Sequence, residues 1–150
     1  GIMDALSEAN VPVSNVRQID YHTVFGSPVP STSSYKSYEE LFFPVDYTAV
    51  IGFNDLQSYS AMEILKERGY RIPEDISLIS FDHLRKTHTY LPPLTSIADN
   101  TDKSIADTAV SILLDKIKNS DSKFTGAVLP VTIYDGHTTG PVNKAFETSF

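Results

Sequence analysis

The chain has 150 residues, about the size of one domain, with a hydrophobic fraction of 41% that is adequate for a core and no cysteine. A formal charge of −7 argues against nucleic-acid binding by these residues alone, because phosphate contacts need clustered Lys and Arg. The missing cysteines exclude a disulfide framework and a thiolate metal site and fit a cytoplasmic protein, and no apolar run approaches the roughly 20 residues of a membrane helix.

In chain order, residues 2–9 read as a helix with Ile2, Leu6 and Ala9 on one face, ending at Asn10-Val11-Pro12. The helix has no capping residue before it, which suggests that a further N-terminal portion precedes it. Val16 to Ile19 reads as a short strand, and "GSPVPSTSS" at 26–34 as a loop. Helical spacing resumes from Tyr35 to Phe43. "TAVIGF", 48–53, is a continuous apolar run, as expected of a strand covered on both faces. Asp55 to Arg68 is a strong helix with Gly69 as its stop signal. "DISLISF", 75–81, predicts a second buried strand and Thr95 to Ala98 a third. Asp102 to Lys118 predicts the longest helix, with Ile105, Ala109, Ile112, Leu113 and Ile117 on one face. "AVLPVTIY", 127–134, predicts a last strand, and Asn143 to Phe150 shows no clear structure. This alternation predicts an α/β fold, a parallel sheet flanked by helices.

In open parallel sheets, ligands collect beyond the carboxyl ends of the strands. Two such ends carry polar groups directly after apolar runs: Asn54-Asp55 after Phe53, and Asp82-His83 after Phe81. A carboxylate accepts from two hydroxyls and an amide both donates and accepts, a chemistry suited to a polar ligand. Charge-assisted bonds of this kind are worth roughly 1.5–3 kcal/mol each. A structural reading stands beside this one. Asn54 or Asp55 can cap the helix that follows, and Asp82 can cap a turn over 83–88.

At these residues the chain resembles the LacI/GalR family of bacterial transcription regulators. The resemblance is carried by the strand ending in Asn54-Asp55, by Ala61-Met62, Gly69, Ile72-Pro73 and Asp75-Ile76-Ser77, and by Phe81-Asp82 and Pro92-Pro93-Leu94-Thr95. It is closest over 47–97, fair over 98–140 and weak over 1–46. It implies the C-terminal lobe of a periplasmic-binding-protein-like fold, which holds a small, sugar-like effector against a second lobe. Operator DNA would be bound only through a helix-turn-helix headpiece absent from this chain. The implied organisation is an effector-binding lobe over 1–98, a crossover helix segment over 99–125 belonging to the N-terminal lobe, a return strand over 126–142 and a tail over 143–150. Asn54, Phe81 and Asp82 match effector-contacting positions, with Asp55, Tyr21, Phe25 and Tyr35 as weaker candidates. The implied homodimer surface comprises Leu56, Tyr59, Ser60, Glu63, Leu84 and Tyr90. The helix over 102–118 would lack its family partner. It should pack in an unusual place on this lobe, dock on a second copy or be poorly ordered. Departures from the family pattern are the longer 20–34 loop, the nearly neutral Asp135-Gly136-His137, and Asp99-Asn100 where a glutamine is common.

Other chemistry is poorly supported. Asp55 and Asp82 could form the carboxylate pair of a glycoside hydrolase, at separations of about 5–9.5 Å. No nucleophile elbow, phosphate loop or metalloprotease motif accompanies them. His83 and His88 are wrongly spaced for one helical face, so neither a metal nor a cofactor is expected. A transport-type sugar-binding protein of the same fold is the alternative to a regulator, and "NDLQSYSAM" favours the regulator because a transport receptor has little use for a dimer face.

Overall fold

The computed structural model describes residues 1–19, 42–84, 92–99, 104–119 and 126–143. Several sequence expectations lie outside these residues: Tyr21, Phe25, Tyr35 and the rest of the 20–34 loop, most of the helix expected over Tyr35 to Phe43, Arg85-Lys86, His88, Tyr90 and Asn100. The chain divides into two compact units, Gly1–Pro44 and Val45–Phe150.

In the first unit, helix α1 spans Ile2–Glu8. It ends in a Schellman motif: Asn10 adopts φ 58°, and the Val11 and Asn10 amides donate back to Leu6 at 2.9 Å and Ser7 at 3.0 Å. Asparagine tolerates this left-handed position better than most residues, so the Asn10-Val11-Pro12 stop works as expected. A short 3-10 turn follows over Val13–Asn15. Val16 is extended, with φ −114° and ψ 113°, but no strand forms over 16–19, which corrects that expectation. A short β-branched segment without a pairing edge stays a connector.

The second unit is built on a sheet of β1 (Ala49–Ile51), β2 (Ser77–Phe81), β3 (Thr95–Asp99) and β4 (Val131–Tyr134), in that spatial order. Strands β1, β2 and β3 are parallel, whereas β4 runs antiparallel to β3. The parallel sheet expected from the alternation is present, with β4 as its one antiparallel strand among the described residues. Nothing in an apolar run states its direction, and here the chain returns to β3 from the opposite end.

Helix α2, Asp55–Glu67, makes the crossover from β1 to β2 that a parallel pair requires. Its Ala61, Met62, Ile64 and Leu65 pack with Leu78 of β2 and with Ile72 and Ile76, all buried. The helix stops in a second Schellman motif, with Gly69 at φ 86° and Tyr70 donating to Leu65 at 3.0 Å. Along β2 burial alternates, with Leu78 and Ser80 inside and their neighbours half-covered. In β1, Val50 is half-buried, Ile51 is exposed, and Phe53 beyond it is 80% exposed. Among the described residues, then, β2 is fully covered on one face only and β1 is at most half-covered, so neither run is buried on both faces.

Helix α3 spans Ile105–Lys118 and is capped twice at its start. Ser104 Oγ accepts from Asp107 N at 3.0 Å, and the Asp99 carboxylate accepts from Ile105 N at 2.8 Å. The helix is well formed but buries none of its residues. Ile105, Leu113 and Ile117 are exposed, while Thr108 and Ile112 face an open groove of Ala127, Leu129, Pro130 and Val131.

Candidate functional site

The carboxyl ends of β1 and β2 form one edge of the sheet. Ile51 and Ile79 are register partners. Asn54 lies three residues beyond the first and Asp82 three beyond the second, so both follow the same sheet edge. Asn54 is half-buried and Asp82 is exposed.

Asn54 is the N-cap of α2. Its side-chain oxygen accepts from Gln57 N at 2.9 Å, and its backbone is extended, with φ −153°. The capping reading of Asn54 therefore holds, and it leaves the side-chain amide nitrogen as a donor. Gly52 explains how helix and strand approach so closely. A Cβ there would lie 1.8 Å from Ser58 Oγ. That hydroxyl donates to the Asn54 carbonyl at 2.9 Å and shares a 2.8 Å bond with the buried Ser80 hydroxyl.

Asp82 and His83 adopt φ 95° and 47°, two consecutive non-glycine residues on the positive side. Such conformations cost of order 1–3 kcal/mol each and persist only where the surroundings hold them. Here the hold is visible. Asp82 N donates to the Ile97 carbonyl at 2.9 Å, His83 N to Ser96 Oγ at 3.0 Å, and Leu84 N to Asp55 Oδ2 at 2.6 Å. The His83 ring also stacks on Tyr134 of β4, with centroids 3.7 Å apart and planes 9° from parallel. The strand thus ends on an acid whose backbone is fastened while its carboxylate remains in solvent.

Asp55 differs from expectation. It is the first residue of α2, not its cap, and is 1% exposed. Its second oxygen accepts from Ser96 Oγ at 2.7 Å, so both carboxylate oxygens are engaged by neutral donors. This removes Asp55 as a ligand group and as half of a hydrolytic carboxylate pair with Asp82. Tyr59 also departs from its assigned face. It is buried, and its hydroxyl accepts from Leu94 N at 3.2 Å. Leu56 is exposed at 64%, Glu63 and Leu84 are exposed, and Ser60 is half-buried. Phe81 is half-buried at the end of β2. Sequence reasoning passed over Ser96 and the His83–Tyr134 stack. The only signal for Ser96 is a hydroxyl inside the apolar "LTSI" run.

Among the described residues no group of three or more His, Asp or Glu is placed to hold a metal ion, and no helix is long and apolar enough to cross a membrane.

The family model described as a periplasmic binding protein-like domain matches residues 4–139. The chain belongs to that family. Within the periplasmic-binding-protein-like family it sits with the effector-binding regions of LacI/GalR regulators. It is 37% identical over 120 residues to the HTH-type transcriptional repressor PurR of Aliivibrio salmonicida, an alignment covering 79% of this chain and 34% of that protein. The chain thus spans about a third of the length of that relative. Among solved structures, a LacI family transcriptional regulator from Enterococcus faecium with bound ribose is similar at a TM-score of 0.67 and 25% identity, covering 94% of this chain and 50% of that one. A LacI family regulator from Enterococcus faecalis, also with bound ribose, is similar at a TM-score of 0.61 and 28% identity, covering 73% and 40%.

Proposed function

We propose that these residues form the effector-binding and dimerisation region of a cytoplasmic, non-enzymatic LacI-type transcription regulator. In this reading Asn54, Phe81 and Asp82 make one wall of a site for a small, hydroxyl-rich ligand such as a pentose. The observation that carries it is the exposed Asp82 carboxylate, presented on a fastened positive-φ turn at the carboxyl edge of the sheet. A carboxylate held there accepts from two hydroxyls, the neighbouring Asn54 amide donates, and Phe81 offers an apolar surface to a ring face. The ribose found with the two Enterococcus regulators supports a sugar-like occupant.

A second lobe outside these residues would close over the ligand. The ligand shifts the lobe angle only by its difference in affinity between the open and closed states. Operator contact would belong to a helix-turn-helix outside this chain, as the name of the Aliivibrio relative suggests. The homodimer face would use Leu56, Ser60, Glu63 and Leu84, with Tyr59 supporting it from inside. Asp82→Ala in the longer regulator should abolish the response of operator binding to effector while leaving operator affinity without effector unchanged. A normal response in that variant would remove Asp82 from the site.

A further inference from the structure

We propose that Asp55 and Ser96 are positioning residues for Asp82. They hold the turn after β2 in a single shape and so fix where the Asp82 carboxylate meets a ligand hydroxyl. The inference rests on the effector-site reading of Asp82 given above.

The argument starts from the direction in which Asp55 points. A carboxylate in the first turn of a helix ordinarily stays in solvent, beside the free amides of its own helix. Asp55 is instead 1% exposed, and the cap of α2 is already supplied by Asn54. Its oxygens reach two other segments: Leu84 N at 2.6 Å and Ser96 Oγ at 2.7 Å. Ser96, also 1% exposed, uses its hydroxyl in both senses, donating to Asp55 and accepting from His83 N at 3.0 Å. With Asp82 N bound to the Ile97 carbonyl at 2.9 Å, three successive amides are tied to three separate acceptors. The anchors come from α2 and β3, so the turn is held from two sides of the strand that carries it.

Burying a carboxylate among neutral donors is an expensive way to fasten a surface loop. It becomes intelligible if the loop must not move. A polar group already fixed in its bound geometry spares the ligand the entropy of ordering it. Hydrogen bonds behind a ligand-holding side chain perform this task in binding sites generally.

The test uses the 15N-labelled longer regulator, with amide hydrogen exchange in the free protein and a ribose titration followed by amide shifts. Wild type is compared with Ser96→Ala, Ser96→Thr, Asp55→Asn and Asp82→Ala. Ser96→Ala and Asp55→Asn should each speed exchange at His83 and Leu84 tenfold or more, with Leu65 and Leu78 unchanged. Ser96→Thr, which keeps the hydroxyl, should restore protection. Ribose should bind Ser96→Ala at least tenfold more weakly than wild type. Unchanged protection at both amides in both variants would overturn the inference. So would wild-type ribose affinity in Ser96→Ala alongside lost affinity in Asp82→Ala, leaving the effector-site reading intact. Wild-type affinity in Asp82→Ala would instead sink the effector-site reading and this inference with it.

Discussion

The Thr138 hydroxyl donates to the Leu78 carbonyl at 2.6 Å, joining residues 60 positions apart at the centre of the sheet. The same oxygen accepts from Thr95 N at 2.8 Å, and Leu78 N donates to the Thr138 carbonyl at 2.7 Å. Thr138 is fully buried and continues the sheet beside the start of β2, where β3 has not yet begun. The amino end of the strand that leads to Asp82 is therefore held by a residue near the far end of the described chain. Thr138→Val keeps the shape but strands a buried amide and a buried carbonyl. It should lower unfolding stability by roughly 1–3 kcal/mol, measured by urea denaturation.

Gly52 is constrained by close approach and not by its dihedral angles. Gly52→Ala places a methyl against Ser58 Oγ and should destabilise by roughly 1–3 kcal/mol. Ser58→Ala removes that oxygen together with its bonds to Asn54 and Ser80. The double variant should lose less stability than the two singles added, because one defect relieves the other. Additive losses would show that the helix moves away from the strand without resistance.

Asp75 provides a test in acid. Its carboxyl is held down to about 2, first by the hydrogen bond from the Arg71 guanidinium and then by the Arg71 backbone amide. Because the folded value lies below the ordinary value of 3.8, its contribution is present in full above about pH 5. That contribution fades as pH falls toward 2. The stability difference between wild type and Asp75→Asn should be flat from neutral pH to about 5 and shrink below about 4, followed by urea midpoints at each pH. A difference that grows on acidification would contradict the assignment.

Helix α3 makes the opposite kind of prediction. It buries none of its residues, so Leu113→Ser and Ile117→Ser should each change the stability of the chain by no more than about 0.5 kcal/mol. A larger loss in either variant would mean that the helix is packed in solution. Its capping by Ser104 and Asp99 is local and needs no partner.

Much of this architecture was legible because it depends on periodicity and local stops. The apolar runs at 48–53 and 75–81, the α2 face of Ala61, Met62 and Leu65, and the Gly69 stop all rest on short-range rules. Three things were not legible. The reversed direction of β4 leaves no mark in an apolar run. Tyr59 has a polar tip, and its burial depended on the Leu94 amide meeting that tip, a contact 35 residues away. The burial of Asp55 depended on Ser96, 41 residues away, because a carboxylate enters a core only where donors wait for it. Asn54 and Asp82 could be nominated from sequence because strand ends are visible there, whereas the parts that fasten them are hydroxyls scattered along the chain.

The most direct test is a crystal structure of the longer regulator with ribose. The account predicts the sugar at the carboxyl edge of β1 and β2, with its hydroxyls donating to the Asp82 carboxylate, Asn54 in contact, and the 82–84 turn unmoved. Ribose bound elsewhere, or bound there with no contact to Asp82, would contradict it.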